Sequence, residues 1–181
     1  MNIAENLQQV LSELPDGVRL VAVSKFHPNE AIEDAYRTVQ RIFGESKVQE
    51  MTATYESLPK DIDWHLIGHL LQLQIAEEEN IFGFSFCDCR EMLAAGEWKT
   101  LCIIQLCGLM GMATNTDDNE QIEKEFCSVS SFFKEVKDSW FADTEAFREL
   151  SMGMSHDYHQ AIAAGSTLIS VGSKIFGDRT Y

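Results

Sequence analysis

The sequence predicts an α/β fold built on a parallel β-sheet. Two observations indicate it: short β-branched segments recur along the chain, and amphipathic helical segments separate them. Strands and helices that alternate in this way place neighbouring strands parallel, with helices covering the sheet. We count about seven strand candidates, so the pattern alone leaves both an open doubly wound sheet and a closed barrel as alternatives.

The first strand and helix are the clearest elements. An amphipathic opening helix is followed by the turn signal Pro15-Asp16-Gly17 and by a buried strand over 18–23, which ends at Ser24-Lys25. A helix over 29–39 comes next, and Pro28 stands where helix starts tolerate proline. This order begins the βα repeat.

The later elements repeat this order. The predicted strands are 42–44, 64–67, 71–75, 106–112, 149–154 and 167–171, and the predicted helices are 48–58, 87–95, 119–136 and 158–164. One junction is anomalous, because almost nothing separates the apolar segments 64–68 and 71–75. Parallel neighbours need a crossover of about a dozen residues or more. We therefore predict that these segments are not both parallel strands of one sheet: they form one long strand, or a crossover is missing.

Composition narrows the class of protein. With 181 residues, 45% hydrophobic and 24% charged, the chain is expected to fold as one domain over 1–181. Its formal net charge of −15 disfavours nucleic acid and anionic membranes as partners. No signal peptide or membrane-spanning run is recognisable, so we expect a cytoplasmic protein. We also expect a monomer. The cysteines number 5, lack CxxC spacing and indicate neither a disulfide framework nor a metal site.

A few residues at predicted strand ends have chemical potential. Lys25 lies at the carboxyl end of the first strand, where βα proteins build active sites, and its amine can form a Schiff base with a carbonyl compound. Gly172-Ser173 follow the last strand, where backbone N–H groups can approach a phosphate. Met152-Gly153-Met154-Ser155 adds a hydroxyl at another strand end, and Arg179 is a further donor. Taken singly, each has an ordinary alternative: a surface lysine, turn glycines, core methionines and a terminal arginine.

Taken together, the motifs are far more specific. They occur in the order Val21-Ala22-Val23-Ser24-Lys25, Phe43-Gly44-Glu45 with Val48-Gln49-Glu50, Trp64-His65-Leu66-Ile67-Gly68-His69-Leu70, Gly108-Leu109-Met110-Gly111-Met112, Met152-Gly153-Met154-Ser155-His156-Asp157 and Gly172-Ser173-Lys174-Ile175-Phe176-Gly177. This ordered set resembles the pyridoxal phosphate homeostasis protein family, also called the YggS/PROSC family, over essentially the whole chain.

The resemblance implies a TIM-type (β/α) barrel related to the N-terminal domain of alanine racemase. It implies pyridoxal 5′-phosphate (PLP) as the cofactor, bound as an internal aldimine, with the phosphate held near Ser155 and the pyridine nitrogen approached by Arg179. An arginine at that nitrogen disfavours its protonation and weakens PLP as an electron sink. The cofactor-binding residues that the resemblance implies are Lys25 (Schiff base), Ser46, Met154, Ser155, Gly172, Ser173 and Arg179.

Three departures from the family pattern bear on the fold and the site. Ser46 replaces the usual asparagine, and Ser170 replaces an arginine that usually precedes the phosphate loop. About one and a half βα units, roughly forty residues, are missing near 68–73, at the junction already found anomalous. A barrel that lacks a strand cannot close in the standard way, so we expect an incomplete or rearranged barrel.

The resemblance implies a PLP-binding protein in the intracellular homeostasis of vitamin B6 and amino acids, with no catalytic residues and with PLP-dependent apoenzymes as possible recipients. Two alternatives stay open. One is a small PLP-dependent racemase that uses Lys25 as a base, against which stands the lack of a second domain to supply the opposing group. The other is a cofactor-free remnant that acts as an interaction protein.

Overall fold

In the computed structural model, which describes residues 2–67, 74–75, 83–100 and 105–177, one parallel sheet of seven strands organises the chain. The strands are β1 (Arg19–Val23), β2 (Ile42–Glu45), β3 (Asp63–Leu66), β4 (Gln74–Ile75), β5 (Gly108–Gly111), β6 (Glu149–Met152) and β7 (Leu168–Val171). The helices are α1 (Ile3–Ser12), α2 (Asn29–Arg37), α3 (Val48–Ser57), α4 (Phe86–Ala95), α5 (Asn119–Trp140), α6 (Tyr158–Ala163) and α7 (Ser173–Phe176), with a 3₁₀ turn at Glu97–Thr100.

The strand order is that of a barrel with one opening. It reads β3-β2-β1-β7-β6-β5-β4, and all described pairs are parallel. The first and last strands of the chain therefore pair with each other, as barrel closure requires, whereas β3 and β4 stand at the two edges of the sheet that the described residues form. The fold is an incomplete TIM-type α/β barrel, which confirms the fold predicted from the sequence.

The prediction for the anomalous junction was wrong in one respect. β3 and β4 are both parallel strands of the same sheet, although few residues separate them in the sequence. The crossover rule constrains strands that are neighbours in the sheet. Because β3 and β4 occupy opposite edges, the rule does not exclude their common membership. Residues 68–73, on which the predicted break falls, lie outside the described residues.

The helices cover one face of the sheet and divide its apolar contacts into two clusters. Leu20 and Ala22 of β1 pack with α1 and α2, whereas Leu109 and Leu150 pack with α4 and α5. Alternate residues of a strand point to opposite faces, so Val21 faces away from the helices. A Cβ placed on Gly44 would lie 2.9 Å from side-chain carbons of Val21 and Ile67. The inner face is thus tightly packed near β1 and β2.

Side chains fix several helix starts. The Asp118 carboxylate accepts hydrogen bonds from the backbone N–H groups of Glu120 and Gln121 at the start of α5. Ser85 and Asp88 form a reciprocal capping box at the start of α4.

In the described part of the chain, every helix is too short or too polar to span a bilayer.

Gly108 of β5 offers a test of the strand packing. A Cβ there would overlap the backbone carbonyl of Glu149 on β6, and backbone atoms cannot move aside without separating the strands. We expect Gly108→Ala to lower the free energy of unfolding by about 3 kcal/mol, measured by urea titration with circular dichroism. Gly17→Ala is the control, because its added methyl meets nothing within 4 Å and only the φ of +88° opposes it. It should cost about 1 kcal/mol, and equal losses for both variants would contradict this packing.

Candidate functional site

The predicted site residues lie at the carboxyl ends of four neighbouring strands. In the order β2-β1-β7-β6, these strands are followed by Ser46, Lys25, Gly172 and Ser155. Adjacent strands are about 4.8 Å apart, so the four ends form one continuous edge. The structure thus gathers residues that are up to 147 positions apart in the sequence, from Lys25 to Gly172.

A tight turn presents Lys25. The Ser24 carbonyl accepts a hydrogen bond from the His27 backbone N–H at 3.0 Å, and Lys25 lies half-buried inside this turn. Phe26 has a φ of +69°, a conformation that bulky side chains seldom adopt, and its ring is 43% exposed. His27 stacks on Phe176 of α7 with the ring centroids 5.0 Å apart. The ring contact between His27 and α7 therefore stabilises the strained turn.

The loops after β6 and β7 meet at Ser155. Its Oγ accepts hydrogen bonds from the backbone N–H groups of Gly172 at 3.2 Å and Lys174 at 3.4 Å. The β7–α7 loop also lies close to β1, since a Cβ on Gly172 would come within 3.3 Å of Val23. Asp157 holds the other loop by accepting the Met154 N–H at 2.6 Å. Backbone donors and a hydroxyl thus converge beside the strand that carries Lys25.

The remaining predicted residues differ in their exposure. Ser46 is half-buried directly after β2, Met154 is 40% exposed, and the Ser173 side chain is exposed at the first position of α7. Arg179 lies outside the described residues. Ser170 lies on β7, where its backbone N–H donates to the Gly153 carbonyl at 2.9 Å.

A polar network that sequence reasoning missed ties α7 to the start of the chain. The Lys174 ammonium donates to the Tyr158 hydroxyl and, at 3.4 Å, to Glu13, while the Tyr158 hydroxyl donates to Glu13. The hydroxyl of Tyr158 holds the pKa of Glu13 below its ordinary value, and burial raises the pKa of Tyr158. His159 reaches Glu13 at 3.3 Å. The pairing spans 145 positions between Glu13 and Tyr158, so no local pattern signals it.

Glu45 is a second group that sequence reasoning left without a role. It ends β2, is 3% exposed and accepts a hydrogen bond from the Ser24 hydroxyl at 2.5 Å. Burial raises the pKa of Glu45, and the hydroxyl of Ser24 partly opposes the increase. An acidic residue at a strand end, one strand away from the candidate lysine, was the available signal.

A cavity of about 510 Å³ opens along the same edge of the sheet, between the loops after β5 and β6. Volumes of this order are typical of small-molecule pockets. Its wall has both polar and apolar surface and is formed by Ala113, Thr114, Asn115, Thr116, Asp117, Asn119, Ile122, Met154, His156 and Asp157. Glu125 of α5 accepts the Thr114 backbone N–H at 2.7 Å and its hydroxyl at 2.9 Å, which fixes one of the two loops.

Structural comparison defines the class of protein first. Alanine racemase from E. faecalis superposes with a TM-score of 0.70 at 14% identity, covering 98% of this chain and 58% of the racemase, so the chain has the alanine racemase barrel fold. PipY of Synechococcus elongatus is more similar: its PLP-bound structure gives a TM-score of 0.85 at 32% identity, covering 97% of this chain and 100% of PipY. Its PLP-free structure gives 0.87.

Sequence comparison then identifies the family. The pyridoxal phosphate homeostasis protein of Helicobacter pylori is 30% identical over 88% of this chain and 87% of its own length. The Schizosaccharomyces pombe protein of the same name is 32% identical over 90% of this chain and 84% of its own. No family model matches. The chain belongs to the pyridoxal phosphate homeostasis protein family, as its ordered motifs indicated.

The alignment with the Helicobacter pylori protein bears on the missing segment. It runs over 201 positions, but 88% of a 181-residue chain is about 159 residues, so about 40 positions face no residue of this chain. That difference has the size predicted for the missing βα units. It also agrees with the opening of the sheet between β3 and β4.

Tyr158→Phe tests the network that holds α7. The substitution keeps the buried ring and removes only the hydroxyl shared by Glu13 and Lys174, so we expect a loss of about 1 kcal/mol in the free energy of unfolding at neutral pH. Glu13 has a lowered pKa, so its contribution is present above its unfolded pKa and is lost as the pH falls through the folded value.

The loss caused by Tyr158→Phe should therefore shrink under acidic conditions, as urea titrations at several pH values would show. Tyr55→Phe, at a tyrosine that is 45% exposed, is the control and should change little. A loss that stays constant as the pH falls would contradict the role given to Glu13.

Proposed function

We propose that this protein binds PLP through Lys25 and acts as a cytoplasmic carrier of the cofactor in the homeostasis of vitamin B6 and amino acids. One observation carries the proposal: the Ser155 hydroxyl and the N–H groups of Gly172 and Lys174 converge beside the turn that presents Lys25. An aldehyde that carries a phosphate needs this combination of an amine and an anion cradle. The PLP-bound structure of PipY, at 32% identity, supports it.

The described residues fit such a cofactor. A side chain on Gly172 would crowd Val23, so glycine allows this loop to lie close to β1. The Ser155 hydroxyl accepts from the N–H groups of Gly172 and Lys174 and has its own proton to offer an anion. Local donors of this kind work in spite of the net charge of −15, because backbone dipoles act at short range.

Each remaining residue has a proposed part in holding the cofactor. When bound, PLP supplies an aldehyde that links to an amine and a pyridine ring that can withdraw electrons. Ser173 would extend the phosphate cradle, and Ser46 and Met154 would contact the ring. The family resemblance assigns the pyridine nitrogen to Arg179, which lies outside the described residues. Ser46 has a shorter reach than the asparagine usual in the family, so we expect it to hold the cofactor less firmly.

We propose that the protein does not turn over a substrate, that it acts as a monomer and that PLP-dependent apoenzymes are its recipients. The names of the family members in bacteria and yeast describe homeostasis rather than a reaction. The likeness to alanine racemase, at 14% identity, concerns the fold alone.

Absorption spectroscopy tests the anchor. Incubation with PLP should produce a Schiff-base band near the visible edge, and Lys25→Ala should abolish it because the variant lacks the amine that forms the imine. Lys99→Ala, at an exposed lysine of the 3₁₀ turn, should keep the band. The absence of a band in the parent protein would support the cofactor-free remnant, and amino-acid racemisation that depends on Lys25 would support the racemase.

Ser155→Ala tests the phosphate cradle. A hydrogen bond to a charged group contributes about 1.5 kcal/mol or more, so PLP binding should weaken about tenfold. Pyridoxal, which lacks the phosphate, should bind the variant and the parent equally well. Ser128→Ala on the exposed surface of α5 is the control. If pyridoxal and PLP lose affinity to the same extent, Ser155 does not hold the phosphate.

A further inference from the structure

Glu45 is a buried carboxyl group beside the candidate anchor. β1 and β2 pair in register at Val23 and Gly44, so the next residues along each strand, Ser24 and Glu45, lie side by side at the site edge. Ser24 is fully buried and Glu45 is 3% exposed. A carboxyl group seldom occupies such a position without a partner, because its charged form loses hydration.

Hydrogen bonds fix this carboxyl group with respect to the lysine turn. The Ser24 hydroxyl donates to Glu45 Oε1 at 2.5 Å, and the Ser24 backbone N–H donates to the Gly44 carbonyl at 3.0 Å. On the other side, the Ile67 N–H donates to the Glu45 carbonyl at 2.7 Å. Both neighbouring strands therefore hold Glu45, and the residue that follows its hydroxyl partner is Lys25.

The charged groups around Glu45 come from three elements. Lys25 in the turn after β1 favours the carboxylate, whereas Glu50 on α3, itself 2.9 Å from Lys47, favours the protonated acid. On β3 the titratable neighbour is His65, which lies opposite Gly44 and is 3.5 Å from Asp63. Burial is the largest influence and raises the pKa of Glu45. A raised pKa makes a carboxylate a better proton acceptor, as acid–base exchange with an amine requires.

We propose that Glu45 is the acid–base partner of Lys25: it takes the proton from the lysine ammonium before aldehyde capture and returns it when water leaves. The inference rests on the proposed function, because it concerns the same lysine. Lys25 and the Ser155–Gly172 cradle would determine how the cofactor is held, whereas Glu45 would determine how fast it is captured and released.

The proton and bond changes balance. The Glu45 carboxylate removes one proton from the Lys25 ammonium, and the free amine adds to the aldehyde carbon, with its second proton passing to the former carbonyl oxygen. Glu45 then returns its proton to that hydroxyl, which leaves as water while the C=N bond forms. Ammonium and aldehyde give a protonated imine and one water, and Glu45 ends as the carboxylate it was at the start.

The rate of capture as a function of pH tests this role. Stopped-flow absorbance measures the rate of capture, with PLP and separately with pyridoxal. In the parent protein this rate should fall as the pH decreases through the pKa of Glu45, which gives the pH profile an acidic limb. Glu45→Gln keeps an acceptor for the Ser24 hydroxyl but cannot move a proton. We expect it to remove that limb and to slow capture about a hundredfold at neutral pH. Capture and release should slow together, so the equilibrium affinity should change much less than either rate.

Two further variants fix the sign of the effect and do not depend on the folding of Glu45→Gln. Ser24→Ala removes a donor to the carboxylate, so the limb should move to higher pH. Glu50→Gln removes a neighbouring negative charge, so the limb should move to lower pH.

Faster capture by Glu45→Gln would show that Glu45 only holds Lys25 protonated, and it would overturn the proposal. An unchanged profile in all three variants would do the same. These results are distinguishable from a failure of the proposed function, in which the parent protein itself forms no Schiff base.

Discussion

The pairing of β1 with β7 is the interaction on which the rest of the structure depends. It joins the first and last strands through four registered residue pairs, from Arg19 with Leu168 to Ala22 with Val171. This contact turns a row of βα units into a barrel wall. It also places the lysine turn and the β7–α7 loop next to each other, since each directly follows its strand. Without it, the turn that carries Lys25 and the loop that carries Gly172 would not be neighbours.

The sequence was sufficient to predict the elements and to place the candidate site residues at strand ends. Every strand predicted from β-branched runs has a counterpart, because a buried parallel strand must be apolar on both faces and so stands out against the helices. Lys25, Ser155 and Gly172 could be predicted as candidate site residues because strand ends are recognisable locally and the ordered motifs link them. The structure adds a contact that the motifs did not predict, since the hydroxyl of Ser155 accepts a hydrogen bond from the N–H of Gly172.

Sequence reasoning failed where the energetics depend on distant contacts. Glu13 follows an amphipathic helix and looks like a solvated end residue, yet Tyr158 and Lys174 bind it. The prediction for the junction between β3 and β4 was wrong because the crossover rule applies to neighbouring strands, and the sequence does not show which strands are neighbours. Only the strand order of the described sheet, with β3 and β4 at its opposite edges, shows that these two strands are not neighbours.

The position of that opening explains how a shortened barrel can keep the site. The site strands are β2, β1, β7 and β6, and each of them has a paired strand on both sides within the described sheet. The missing units fall between β3 and β4, beyond the outer neighbours of these four strands. Parallel strands hold their ends in place through ladder hydrogen bonds to both neighbours. The shortening therefore removes part of the wall opposite the β1–β7 pair, and the edge that presents Lys25, Glu45 and Ser155 keeps its full support.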